Sequence, residues 1–283
     1  MYNKRSAYFG VAILLILLTV VIAGCTSSSP AVSPTPAGAT PTVVVEQKTL
    51  TVFAAASLGD AFNDTAAAYE AQHPGVRIVY NFAGTQTLVT QVEQGASADV
   101  FASASTKYMT QLSGEGYVNN STIVNFTNNS LAIIVPAGNP ANITSITDLA
   151  KPGIKIVIGA SSVPCGSYTQ QLLNKSANLS GYGQDFATKV RANVVSTEPD
   201  VNSIVSKVAL GEADAGFVYV SDVPATMKDK VKTIAIPSDV NVVAVYPIGV
   251  LKQSNDQVDA ESFVQFVLSS DGKAILISHG FKA

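Results

Sequence analysis

Leu50-Thr51-Val52-Phe53-Ala54-Ala55-Ala56-Ser57 is an apolar run that closes in small residues, and Ile154-Lys155-Ile156-Val157-Ile158-Gly159-Ala160-Ser161 repeats its form later in the chain. Each reads as a buried strand followed by a helix-like pattern. After the first, Phe62, Ala66 and Tyr69 recur at helical spacing up to the breaker His73-Pro74-Gly75, and a second strand is expected over 76–80. The correspondence continues: residues 88–95 and 98–102 read as helix, glycine stop and short strand, and 204–211 with 215–219 repeat that order. Two similar α/β lobes follow, with mostly parallel sheets whose ligands bind beyond the carboxyl ends of the strands.

Two crossovers must join such lobes. Asn129-Ser130-Leu131-Ala132-Ile133-Ile134-Val135 suits the outward path and Tyr246-Pro247-Ile248-Gly249-Val250 the return. The first lobe is then expected to hold 49–131 and 246–283, its last part helical over 261–280, and the second lobe 132–245. A ligand would sit in the cleft between them.

The N-terminus has a different grammar. Lys4 and Arg5 precede an apolar run over 11–22 and the small residues Ala23-Gly24 before Cys25. That order fits a secretory signal over 1–25, the run being short for a span of ~20 apolar residues. An uncleaved anchor helix is the other reading, and both place the rest of the chain outside the cytoplasm. Residues 26–48 are Ser, Thr, Pro, Ala and Gly with few large apolar groups, so a flexible tether is expected.

Loss of Lys4 and Arg5 takes the formal net charge from −3 to −5, which argues against nucleic acid as a partner. Cysteine is scarce: of two, Cys25 belongs to the signal, so Cys165 can form neither an internal disulfide nor a cysteine-rich zinc site. Asn-x-Ser/Thr acceptors run from Asn63 to Asn178, a density that suits a glycosylated surface protein and also arises by chance in an Asn- and Ser-rich chain.

A site for a small dianion that must also release its cargo needs many neutral donors. Helix N-termini supply unpaired N–H groups and a favourable dipole without a mobile charge. Four junctions fit: Ala54-Ala55-Ala56-Ser57-Leu58; Phe82-Ala83-Gly84-Thr85-Gln86-Thr87-Leu88; Val163-Pro164-Cys165-Gly166-Ser167-Tyr168; and Glu198-Pro199-Asp200-Val201-Asn202. Taken singly, a Ser or Thr before a helix is an ordinary cap. Four in matched lobes point to a site.

Val52-Phe53-Ala54-Ala55-Ala56-Ser57-Leu58, Phe82-Ala83-Gly84-Thr85, Ala98-Asp99-Val100-Phe101, Val163-Pro164-Cys165-Gly166-Ser167-Tyr168 and Val218-Tyr219-Val220-Ser221-Asp222 together resemble the molybdate- and tungstate-type solute-binding proteins of ABC importers, and the likeness runs from Leu50 to the C-terminus. The resemblance implies a two-lobed periplasmic-binding-protein-like α/β fold with two crossover hinge strands. It also implies a protein that captures molybdate or tungstate and delivers it to an ABC permease. Carried over by position, it places the oxyanion against the hydroxyl and N–H of Ser57 and Thr85, the backbone N–H of Cys165 and Val201, and the phenol of Tyr219. No cofactor and no directly bound metal ion is implied, since the metal arrives as its oxyanion. The ending Ile22-Ala23-Gly24-Cys25 resembles a lipoprotein processing box, which implies lipid at Cys25 and a monomer tethered to the outer face of the cell membrane. Two positions depart from the family pattern. Thr85 stands where Ser is frequent, and Cys165 where Ala is common; a thiol at a helix N-terminus is expected to have a lowered pKa.

Three alternatives stay open at this stage. Another tetrahedral oxyanion such as sulfate would satisfy the same donors. Glu198 and Asp200 could complete a six-coordinate molybdenum or tungsten centre, although a carboxylate near a dianion is repelled unless it binds the metal, and both read as helix-opening groups that point away. Cys165 with His73 or His279 could form a nucleophilic pair. Asp99 and Asp222 read as turn caps.

Overall fold

A computed structural model describes residues 47–223 and 225–282. The expected signal over 1–25, with Cys25, and the tether up to residue 46 lie outside the described residues. In chain order the elements are β1 (Lys48–Ala55), α1 (Gly59–Gln72), β2 (Val76–Ala83), α2 (Thr85–Glu93), β3 (Val100–Ala102), α3 (Thr106–Gly114), β4 (Val124–Pro136), β5 (Ile156–Gly159), α4 (Pro164–Ser176), α5 (Phe186–Ala192), β6 (Val194–Glu198), α6 (Val201–Ala209), β7 (Ala215–Tyr219), β8 (Val231–Ala235), β9 (Val243–Val250), α7 (Gln257–Leu268) and α8 (Ser270–Ser278). Lys48, expected to end the tether, is already paired with Val76.

The strands run in the order β2-β1-β3-β9-β4-β7-β5-β6, with β8 also on β4. β1 lies parallel between β2 and β3, and β5 parallel between β6 and β7. The alternation of strand and helix predicts these parallel sets. It does not predict that β4 and β9, which carry the chain between the lobes, pair antiparallel, nor that β8 adds antiparallel to the second-lobe half of β4. β4 belongs to both: residues up to Ser130 pair with β9, and from Leu131 onward the partners are β7 and β8. On the return, the expected boundary at residue 246 falls inside β9, whose pairing with the first lobe's half of β4 begins at Val243.

Packing follows the periodicities. α6 buries Val201, Ile204, Val205 and Val208, one helical face, and packs Ile204, Val205 and Val208 against Ile134, Val157 and Val218. Burying side chains of this size is worth roughly 1.5–3 kcal/mol each. Gly216 in β7 makes the fit possible, because a Cβ there would stand 2.6 Å from the Ile204 side chain. In the first lobe Tyr69 of α1 is fully buried, its ring centroid 5.4 Å from Phe263 and 5.5 Å from Phe266. Those two α7 residues fix the C-terminal helices to the first lobe. Among the described residues no helix is long and apolar enough to cross a membrane.

Candidate functional site

On the first lobe, β1 ends at Ala55 and a single 3-10 turn, Ala56–Leu58, leads into α1. Small side chains at Ala55 and Ala56 leave the backbone open to a ligand. Ser57 is nearly buried, its Oγ 2.9 Å from the phenol oxygen of Tyr246. α2 begins at Thr85 with Gly84 as its cap residue. The Thr85 hydroxyl accepts the N–H of Ala104 at 3.3 Å, so its own proton remains to be donated.

The second lobe answers with two helix starts and a tyrosine. α4 opens on Pro164, and its first regular backbone bond runs from Ser167 N–H to Val163 O at 2.8 Å. Cys165 and Gly166 therefore present N–H groups without an acceptor four residues back. A Cβ on Gly166 would stand 2.2 Å from the carbonyl oxygens of Gly159 and Ala160, so its absence seats this helix end on the tip of β5. α6 is capped by Asp200, whose Oδ1 accepts from Ser203 N–H at 3.0 Å, and Val201 is its first residue. Tyr219 closes β7; its hydroxyl is buried and has no hydrogen-bond partner among the described residues.

These parts enclose a cavity with about 220 Å³ of free space, its mouth included. The space is small and suits a compact ion rather than a drug-sized molecule. Ala55, Ala56, Ser57, Gly84, Thr85 and Ala104 line it from the first lobe, and Val163, Pro164, Cys165, Asp200, Val201 and Tyr219 from the second. All five residues carried over from the motifs thus face one space. Among the described residues no Lys, Arg or His lines it.

The acidic residues fall out differently from one another. Asp200, expected to point away, does contribute to the lining, although its carboxylate is occupied in capping α6. Glu198 is paired with Lys207 at 2.6 Å and with Ser196 Oγ at 2.6 Å. Burial raises its pKa, but those partners outweigh it and hold the carboxyl below its usual range. Asp99 accepts Thr51 N–H at 2.8 Å and Ser254 Oγ at 2.6 Å, as a cap does. Asp222 accepts Tyr219 N–H at 2.7 Å, yet its other oxygen is buried and unpartnered among the described residues. Burial, with the charge of Asp200 adding to it, raises its pKa to about 8 despite the Tyr219 N–H.

The lowered thiol pKa considered for a helix N-terminus is overturned. Cys165 is fully buried, its Sγ donates to Phe217 O at 3.4 Å, and burial pushes the thiol well above its ordinary pKa. Desolvation here outweighs the helix N-terminus. Neither histidine joins it: His73 stacks on Tyr69 at 4.0 Å, and His279 binds Asp64 at 2.8 Å.

The sequence did not mark Tyr246 or the unpaired oxygen of Asp222. Tyr246 is fully buried, 5.8 Å from Tyr219 ring to ring, and holds Ser57 from a strand far along the chain. Its position inside an expected crossover strand is the one local signal.

Comparison with known proteins agrees with this architecture. A family model described as bacterial extracellular solute-binding protein matches residues 50–282. The molybdate-binding protein ModA of Mycobacterium tuberculosis is 39% identical over 94% of this chain and 94% of its own length. Among solved structures, the periplasmic molybdate-binding protein of Azotobacter vinelandii superposes with a TM-score of 0.71 at 20% identity, covering 83% of this chain and 99% of that one. The sulfate-binding protein SubI of Mycobacterium tuberculosis gives 0.74 at 19% identity, covering 83% and 86%. At such identities the two structures speak to the fold alone.

Proposed function

This chain belongs to the bacterial extracellular solute-binding protein family, and on that footing we propose that it captures molybdate or tungstate and delivers the ion to an ABC permease. The observation that carries the reading is the small cavity between the lobes, lined by hydroxyls and helix starts and, among the described residues, by no cationic side chain. Ser57, Thr85 and Tyr219 supply O–H donors, and Ser57, Thr85, Cys165 and Val201 supply N–H donors. Hydrogen bonds to a charged partner contribute ~1.5–3 kcal/mol each, so about seven can hold a dianion after desolvation and closure are deducted. Because the donors come from both lobes, the ion favours the closed form by its own bonding. The family is one of transport, not of enzymes.

Sulfate is the second reading, because sulfate-binding proteins share the fold. Charge does not separate two tetrahedral dianions, so the distinction rests on cavity size. The higher identity to a molybdate-binding relative favours the larger ion. A six-coordinate centre is disfavoured by the commitment of Glu198 to Lys207 and of Asp200 to the α6 cap. We further propose a monomer held at the outer face of the membrane by lipid at Cys25.

A thermal-shift titration with molybdate, tungstate, sulfate and phosphate tests the ligand. An ion at one hundred times its dissociation constant stabilises by ~2.7 kcal/mol. Molybdate or tungstate should raise the melting temperature at concentrations where sulfate does not, and no shift with any of the four refutes the reading. Ser57→Ala with Thr85→Val should weaken the shift; an undiminished one clears both side chains.

A further inference from the structure

Two contacts cross the cleft outside the ligand cavity. Gln86, at the start of α2, donates from Nε2 to the carbonyl oxygen of Pro199 at 2.8 Å. Tyr108, on α3, donates its hydroxyl to the carbonyl oxygen of Ser162. Both donors sit on the first lobe, and both acceptors are backbone atoms just ahead of α6 and α4, the helices whose N-termini face the cavity. Neither Gln86 nor Tyr108 lines the cavity.

Gly84 stands where the lobes come closest. A Cβ built on it would lie 2.3 Å from Pro199 O and 2.4 Å from Gln86 Nε2. Its backbone, at φ −56° and ψ 137°, is open to any residue, so the glycine is not required by the turn. What it provides is clearance across the cleft. A methyl there would push on Pro199 and displace the Gln86 amide in the same stroke.

Resting on the ligand-capture reading above, we propose that Gln86 and Tyr108 act as positioning residues that set affinity by clasping the closed lobes, and that Gly84 is the opening through which the clasp engages. A bond made only on closure stabilises the closed form whichever ion is enclosed. It therefore scales the affinity for every ion alike. The cavity hydroxyls, by contrast, meet each ion at a distance that depends on its size and so set the ratios.

The full chain and its variants Gln86→Leu with Tyr108→Phe, Gly84→Ala and Ser57→Ala would be titrated calorimetrically with molybdate, tungstate and sulfate. The two hydrogen bonds predict a loss on the order of ten-fold in the double variant, equal for each ion that binds. Gly84→Ala should lose at least as much, and Ser57→Ala should change the ratios between ions. Ligand-free melting temperatures should stay at the wild-type value, because the open form lacks the clasp. Undiminished affinity in both clasp variants would overturn the proposal, as would a double-variant loss that differs between ions or is matched by a fall in ligand-free melting; Gly84 also lines the cavity, so equality between ions is read from the double variant alone. If the wild-type chain bound none of the three ions, the ligand reading would fall. The clasp, which acts only on the ligand-bound closed form, would then fall with it, whereas wild-type binding with undiminished affinity in the variants would overturn the clasp alone.

Discussion

At the scale of single residues, the direction of one proton matters. Asn129 accepts Ser130 N–H through Oδ1 at 2.9 Å, which turns its amide nitrogen toward Ser221 Oγ at 2.8 Å and toward the Tyr246 phenol. An amide N–H beside that phenol oxygen favours Tyr246 as donor to Ser57, leaving the Ser57 proton for the cavity. Tyr246→Phe should therefore weaken molybdate binding by ~1 kcal/mol, about five-fold, in a calorimetric titration. Unchanged binding would show that Ser57 orients itself. Cys165→Ala should bind molybdate as the parent does, since the thiol is engaged with Phe217 O and the proposed donor is the backbone N–H; a large loss of affinity would assign the sulfur a role in binding. Of the five positions carried over from motifs, Ser57, Thr85, Cys165 and Val201 lie at local strand-to-helix junctions visible in the sequence, Tyr219 came with the motif over 218–222, and all five line the cavity. Tyr246 and the free oxygen of Asp222 were not legible, because their significance lies in neighbours distant in sequence.

At the scale of elements, the helix starts that line the cavity carry the proposed donors, and α6 offers a clean test. Asp200 caps it, so Asp200→Asn keeps a competent cap and removes a negative charge from the cavity wall. Molybdate binding should be retained or strengthened in this variant, with melting changed only slightly, as read by calorimetry and thermal denaturation. Abolished binding would instead argue for a carboxylate bonded to the metal. Much of the order of strands and helices was readable from their two periodicities, including the α6 face of Ile204, Val205 and Val208. The first half of β4 was hidden. Residues 125 and 127–130 are Asn, Thr, Asn, Asn and Ser, so no apolar run announces a strand whose pairing comes from β9.

At the scale of the whole molecule, a buried carboxyl links stability to pH. Asp222 keeps its proton in the folded chain up to about pH 8, whereas an unfolded Asp loses it near pH ~3.9. Unfolding therefore releases a proton between those values, and the Asp222 contribution to stability falls as pH rises through that window. Ligand-free melting should decline from pH 5 to 8 by an amount that Asp222→Asn largely removes. A parallel pH profile in both proteins would mean that other groups govern the slope. The lobes also differ in how the chain supplies them. The pairing of the second runs unbroken from Leu131 of β4 to Ala235 of β8, while β3 of the first, at Val100, waits for Val250 of β9. Bringing such distant strands together is the slow, entropically costly step in forming a sheet. For a chain synthesised from its N-terminus, the segment that comes out first is thus among the last to be completed, and its half of the binding cleft cannot set before the final strands have emerged.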